Sequence, residues 1–157
     1  MDVLAIFGLQ LIFSILVWSL IAKWVVSPEL KKKTLTQALF WLTLPHAFRH
    51  VGMAFLVPGI VSESLGSNFA LPTAFGDLLS AVLALSVLTS LKSGKMTSFW
   101  LVWLFNIVGT VDLMLALSHA EAVPLLHAGW FIPTMWVPLL LVTHFMIFVR
   151  LTRKTKD

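Results

Sequence analysis

An arginine and two histidines lie inside a run of apolar residues, the stretch LPHAFRHVGMAFLVP of residues 44–58. His46, Arg49 and His50 follow the i, i+3, i+4 spacing that places side chains on one face of an α-helix. Imidazoles exchange protons or bind metals, and a guanidinium binds carboxylates or other anions. Ionisable residues inside a membrane are costly, so they usually face one another or a functional site. The stretch therefore predicts a polar site inside the membrane.

Asp77 and Asp112 lie in two other apolar runs, at positions that match Arg49 in depth. With a rise of about 1.5 Å per residue, all three lie roughly 9–14 Å from the same end of a helical bundle. We expect Arg49 to pair with both carboxylates, because pairing is the simplest compensation for charge in lipid. The second acid leaves a surplus negative charge, which a proton, a protonated His50 or a cationic ligand could neutralise. The alternative interpretation is a structural ion-pair network that fixes helix packing.

Other polar residues are expected at this depth or just below it. Gln10 reaches the depth of Arg49, and a deeper layer of histidine and asparagine lies about 16–20 Å from the same end. Asn106, Gly109 and Asp112 form a stripe at spacing three, in which Gly109 lets a neighbouring helix approach closely. The predicted ligand-binding or ion-binding residues are Arg49, His50, Asp77, Asp112, His46, Asn106, His144 and Gln10.

The histidines leave several interpretations open. His46 and His50 could ligate a metal from one helix face, or either could be an axial ligand of a b-type haem opposite His144. They could instead be hydrogen-bonded histidines of the core. A histidine–aspartate cluster could also perform acid–base chemistry on a lipid-like substrate, but no catalytic residue is identified and binding is favoured over catalysis. No cofactor is assigned, and haem is the candidate that the sequence offers.

The composition of the chain is typical of an integral membrane protein. Of its 157 residues, 59% are hydrophobic and 11% are charged, whereas soluble proteins have about 25% charged residues. The formal net charge is +4, but the basic residues fall in short clusters between apolar runs, which argues against nucleic acid as a partner. The chain has no cysteine, which excludes disulfides, thiolate catalysis and zinc–thiolate sites.

Five apolar runs approach the length of about 20 residues that a membrane-spanning helix needs. They cover roughly residues 3–26, 35–57, 69–91, 97–118 and 131–151. With five spans, every Lys and Arg except Arg49 falls on one side of the membrane: Lys23, Lys31, Lys32, Lys33, Lys92, Lys95, Arg150, Arg153, Lys154 and Lys156. Short basic loops stay cytoplasmic, so we predict an outside N-terminus and a cytoplasmic C-terminus. The first run has no basic residue before it, which is atypical of a secretory signal peptide.

These features predict a single all-α domain over residues 1–157, a multi-pass membrane bundle of five transmembrane helices. If the source is bacterial, it belongs in the cell (inner or plasma) membrane. The leading hypothesis is that a polar pocket, opening to the non-cytoplasmic side, binds or transports a small molecule, ion or proton. Besides the lipid bilayer, the expected partner is that ligand, and a homo-oligomer is compatible with the pattern. The alternatives are a b-type haem protein, a small membrane enzyme and a purely structural subunit.

Overall fold

The computed structural model describes residues 2–94 and 98–154, and within these ranges it is helical and contains no β-strand. The predicted start of the fourth helix at residue 97, and the basic residues Lys95 and Lys156, lie outside the described residues. In chain order the helices are α1 (Val3–Ile21), a π-helix (Ala22–Val26), α2 (Ser27–Lys31), α3 (Leu35–Thr43), a 3₁₀-helix (Leu44–Leu56), α4 (Ser67–Lys92), α5 (Ser98–Ser118), two short 3₁₀-helices (Ala120–Leu125 and His127–Trp130), a second π-helix (Ile132–Trp136) and α6 (Val137–Lys154).

Four helical segments among the described residues are long and apolar enough to cross a membrane: Val3–Lys31, Ser67–Lys92, Ser98–Ser118 and His127–Arg153. The composition and these segments fit a membrane protein. The predicted span over residues 35–57 is not among the four, although α3 and the 3₁₀-helix that follows it together cover residues 35–56. The polar residues His46, Arg49 and His50 lower the mean hydropathy of this stretch.

The change from α-helix to 3₁₀-helix coincides with Pro45, which lacks the N–H that would continue the hydrogen bonds of α3. The 3₁₀-helix then runs for 13 residues. It has three residues per turn, so side chains three positions apart lie directly above one another. The buried stripe that results is formed by His46, Arg49, Gly52 and Phe55.

Both π-helices end two residues before a proline. The N–H of Ser27 donates to the carbonyl of Ala22, five residues earlier, and Pro28 follows. A proline has no N–H and crowds the carbonyl four residues before it, and the wider π-turn moves that carbonyl aside. The same arrangement precedes Pro138. The helix therefore continues without a break from α1 through the first π-helix into α2, and from the second π-helix into α6.

Two apolar cores lie towards opposite ends of the bundle. One contains Leu30, Leu91 and Leu151, next in sequence to the basic residues at the ends of α2, α4 and α6. The other contains Phe55 and Phe69, near the opposite ends of the 3₁₀-helix and α4. The predicted polar residues of the 3₁₀-helix, α4 and α5 fall between the two cores.

The first helix lies at the periphery of the bundle, and none of the residues of α1 is buried. Trp18 Nε1 donates a hydrogen bond to the carbonyl of Met135 at 3.2 Å, and Trp130 Nε1 donates to Gln10 Oε1 at 2.6 Å. A helix that is apolar on every side and exposed in the isolated chain is suited to contact with lipid.

Candidate functional site

Arg49 lies at the centre of the candidate site and is 1% exposed. Its Nε donates to Asp77 Oδ1 at 2.8 Å, and its Nη1 donates to the carbonyl of Gly109 at 2.9 Å. Its Nη2 donates to Asp112 Oδ2. All the donating nitrogens of the guanidinium are thus engaged, and one side chain joins the 3₁₀-helix to α4 and α5. Asp77 is 7% exposed, and the side chain of Asp112 is 17% exposed.

The charges of this cluster do not balance when both carboxylates are ionised. Arg49 supplies one positive charge, and among the described residues no second Lys or Arg forms an ion pair with Asp77 or Asp112. Removing an ion from water costs several kcal/mol unless a partner compensates it. The arrangement can therefore hold a proton on one carboxyl group or a cation close to the pair.

Three glycines make the close approach of these side chains possible. A Cβ atom added to Gly52 would lie 2.6 Å from Asp77 Cγ, and one added to Gly76 would lie 2.6 Å from Asp112 Cγ. A Cβ at Gly109 would lie 2.9 Å from Arg49 Nη1. Each of the three helices thus offers a gap that receives a polar side chain of a neighbour.

A largely apolar pocket runs from the two carboxylates towards the segment between α5 and α6. Along α4 its wall passes from Asp77 through Thr73 to Phe69, and along α5 it begins at Asp112. The 3₁₀-helix Ala120–Leu125 lies across it. The remaining lining residues are Phe7, Phe55, Leu113, Ala116, Leu117, His119, Ala122, Val123, Leu126, Ile132, Pro133 and Val137.

A histidine and a glutamate form a hydrogen bond at the mouth of the pocket, the end away from the two carboxylates. His119 lines the pocket, and its Nδ1 donates to Glu121 Oε1 at 2.6 Å. This hydrogen bond lowers the pKa of the exposed Glu121 carboxyl. Among the described lining residues there is no Lys or Arg. The titratable groups along the pocket are therefore acids and one histidine.

A family model for a domain of unknown function, DUF8737, matches residues 6–152. The chain belongs to the DUF8737 family. Comparisons with curated proteins and with solved structures found no match. The family description names no activity.

Two buried histidines of the DUF8737 chain lie beside the arginine cluster, and their hydrogen bonds assign their tautomers. Thr143 Oγ1 donates to a main-chain carbonyl one turn earlier at 3.0 Å, so it accepts from His46 Nε2 at 2.9 Å. Asn106 Nδ2 donates to the carbonyl of His144 at 3.2 Å, so Asn106 Oδ1 accepts from His144 Nδ1 at 2.7 Å. His46 Nδ1 and His144 Nε2 are left as buried acceptors without a partner among the described residues.

We expect imidazole ¹⁵N spectra of the labelled protein to show the proton of His46 on Nε2 and that of His144 on Nδ1. The Asn106→Leu variant should lose the fixed tautomer of His144 and about 1–3 kcal/mol of stability, because a buried N–H then lacks its acceptor. The proton of His46 should stay on Nε2 in that variant, because Thr143 still accepts it. A proton on His46 Nδ1, or on both nitrogens of His144, in the wild type would contradict the assignment.

The imidazoles of His46 and His144 pack directly against each other, which argues against a haem held between them. The ring centroids of His46 and His144 are 4.1 Å apart, and Phe105 packs against both rings. Bis-histidine ligation requires a porphyrin plane between the two rings. This packing leaves no space for one. Within the described ranges, no group of three or more His, Cys, Asp or Glu side chains is arranged to hold a metal ion.

The structure does not bring two of the predicted residues to the cluster. His50 is exposed, and its Nδ1 lies 3.1 Å from the carbonyl of Ala47. The α-helical spacing of 3.6 residues placed His50 beside Arg49, whereas three residues per turn direct it to another face. Gln10 is also exposed, and its side-chain oxygen pairs with Trp130 instead of the arginine cluster.

The other predicted residues come together, and additional ones join them. Arg49, Asp77 and Asp112 form the ion-pair cluster, and His46, Asn106 and His144 lie next to it. The sequence reasoning overlooked Gly52, Thr143 and the aromatic lining of the pocket. The threonine directly precedes His144, and Gly52 lies three residues after Arg49, so a spacing of three along the 3₁₀-helix would have identified the glycine.

Proposed function

We propose that the chain is a membrane protein that binds a small cation or a proton at the inner end of the apolar pocket. The observation that carries the proposal is the pair of carboxylates, Asp77 and Asp112, facing a single guanidinium at that end. A pocket that is mostly apolar and contains a few convergent polar groups is the common form of a small-ligand site.

The proposal includes five membrane spans, with the segment Leu35–Leu56 as the second. Its 9 α-helical and 13 3₁₀-helical residues rise by about 1.5 and 2.0 Å each, for a length of roughly 40 Å. The hydrocarbon core is about 30 Å thick, so this segment is long enough to cross it. With five spans, the basic residues at the ends of α2, α4 and α6 lie on the cytoplasmic side and the pocket opens on the other.

The chemistry of the pocket favours a cationic ligand over an anionic one. An anion would compete with Asp77 and Asp112 for Arg49, because each nitrogen of the guanidinium already donates a hydrogen bond. A cation or proton would instead offset the surplus negative charge. The aromatic rings of Phe7, Phe55 and Phe69 line the same pocket, and ring faces attract cations.

Binding is better supported than passage through the membrane. Beyond the arginine cluster, the apolar core around Leu39, Val87 and Ile147 fills the bundle towards the basic end. A transported ion would need this core to open. The pocket, by contrast, already reaches the carboxylates from the opposite end.

The proton form of the proposal is testable by infrared spectroscopy of the purified protein in detergent. We expect a carboxylic acid C=O band that disappears as the pH is raised through the range in which the protein stays folded. Asp112→Asn should remove this band, because the remaining Asp77 and Arg49 balance each other. A small organic ammonium ion, such as ethylammonium, should weaken the band in the wild type by replacing the proton.

Glu121→Gln is the matched control, because it removes an acid from an exposed position near the mouth of the pocket. The titrating band should persist in this variant. If the wild type has no such band at any pH, and ethylammonium changes neither the spectrum nor the thermal stability, the proposal is wrong. A band that remains in Asp112→Asn and vanishes in Glu121→Gln would show that Glu121 carries the proton, which would contradict the proposal.

A further inference from the structure

A groove between the first and last membrane segments lies at the basic end of the bundle, away from the carboxylate pocket. It consists of two adjoining clefts that share Ser27, Phe145 and Met146. The cleft nearer the middle of the helices is lined also by Ile15, Ser19, Ala22, Lys23, Leu141 and Val142. The cleft nearer the helix ends is lined also by Lys31, Leu35, Val149, Arg150 and Arg153.

The outer cleft has a strongly positive lining. Lys31, Arg150 and Arg153 come from α2 and α6, and the described lining of the two clefts contains no Asp or Glu. None of the three forms an ion pair with an acid among the described residues, whereas the neighbouring Lys32 pairs with Glu29 at 2.7 Å. Three positive charges around one cleft favour a ligand that carries a negative charge.

The inner cleft is apolar along most of its length. Ile15 on α1 faces Leu141 and Phe145 on α6, and Phe145 is 68% exposed. The π-helix Ala22–Val26 lies beside the groove and contributes Ala22 and Lys23 to its wall. The groove thus joins a basic end to an apolar channel parallel to the helices.

We infer that this groove binds an anionic phospholipid of the surrounding bilayer. The phosphate would contact Lys31, Arg150 and Arg153, and one acyl chain would follow the apolar cleft between α1 and α6. Basic pockets between membrane helices recognise lipid head groups in this way, and each Lys or Arg adds to the attraction. The inference is independent of the cation pocket and requires only that the chain lies in a bilayer.

Native mass spectrometry of the delipidated protein in detergent tests the inference. The probes are phosphatidylglycerol and phosphatidylcholine with identical acyl chains, and we expect the former to bind more tightly. The variant Lys31→Gln/Arg153→Gln removes two exposed charges from the groove. Its affinity for phosphatidylglycerol should fall about ten- to thirtyfold. Its affinity for phosphatidylcholine should fall much less, because the choline cation offsets the phosphate charge of that lipid.

The control variant Lys33→Gln/Lys92→Gln removes two exposed charges at the same end but outside the groove. It should keep the wild-type preference. Equal affinity of the wild type for both lipids, or an equal loss in both double variants, would overturn the inference. Displacement of the lipid by glycerol 3-phosphate alone would also overturn it, because the apolar cleft would then have no role. All four altered side chains are exposed, so the variants are expected to fold.

Discussion

Replacing Arg49 by glutamine is expected to cost about 3–5 kcal/mol of unfolding free energy, the typical effect of removing one partner of a buried ion pair. The substitution would leave one buried carboxylate, Asp77, and one partly buried carboxylate, Asp112, without a positive charge and the carbonyl of Gly109 without its donor. The measurement is unfolding in mixed micelles, followed by the fluorescence of the seven tryptophans.

The neutral triple variant Arg49→Gln/Asp77→Asn/Asp112→Asn separates the charge effect from the loss of packing. It should recover most of the lost stability, because amides can hydrogen-bond to one another without a net charge. Arg150→Gln is the control, since it removes an arginine that is partly exposed and has no ion pair among the described residues. If Arg49→Gln is no more destabilising than Arg150→Gln, the ion-pair cluster does not stabilise the fold.

The pairing of Arg49 with Asp77 and Asp112 was predictable because it depends on few properties of the chain. Each charge lies in an apolar run, and the run lengths fix depth to within about one turn. A charge in lipid needs a partner, and only residues at the same depth can provide one. The helices α4 and α5 begin and end within two residues of the predicted limits. An error of two residues changes the expected depth of a side chain by only about 3 Å.

The orientation of side chains around the second segment was not predictable in the same way. Going from Arg49 to His50 turns the chain by about 100° in an α-helix and about 120° in a 3₁₀-helix, and the difference accumulates over successive residues. Long 3₁₀-helices are uncommon, so a sequence pattern favours the α-helical period. The prediction therefore included His50 in the site and overlooked Gly52, which the structure brings against Asp77.

The pocket itself depends on a segment whose course a hydropathy pattern does not specify. Residues 119–130 connect the fourth and fifth predicted spans and include His119, Glu121 and His127, so hydropathy alone leaves their course open. In the structure this segment contains two 3₁₀-helices, and Ala122, Val123 and Leu126 close one side of the pocket. Ala122 and Leu126 are buried in one cluster with Phe55 and Phe69, which lie more than 50 residues earlier in the chain.

The glycines and the ion pairs depend on one another. The carboxylate of Asp112 reaches Arg49 by passing over Gly76, and that of Asp77 does so beside Gly52. A larger residue at either position would move a carboxylate away from the guanidinium or separate the helices. The cost of such a substitution should therefore depend on whether the carboxylate is present, which a double-mutant cycle can measure.

Gly76→Ala is expected to destabilise the protein by about 1–3 kcal/mol, because the added methyl group overlaps the Asp112 carboxylate. In the Asp112→Ala background the same change should be neutral or stabilising by up to about 1 kcal/mol, since alanine favours a helix more than glycine. Gly8→Ala in α1 is the control, as its added Cβ meets no atom within 4 Å. If Gly76→Ala costs the same with and without Asp112, the two residues are not coupled and the close approach does not determine the ion pair.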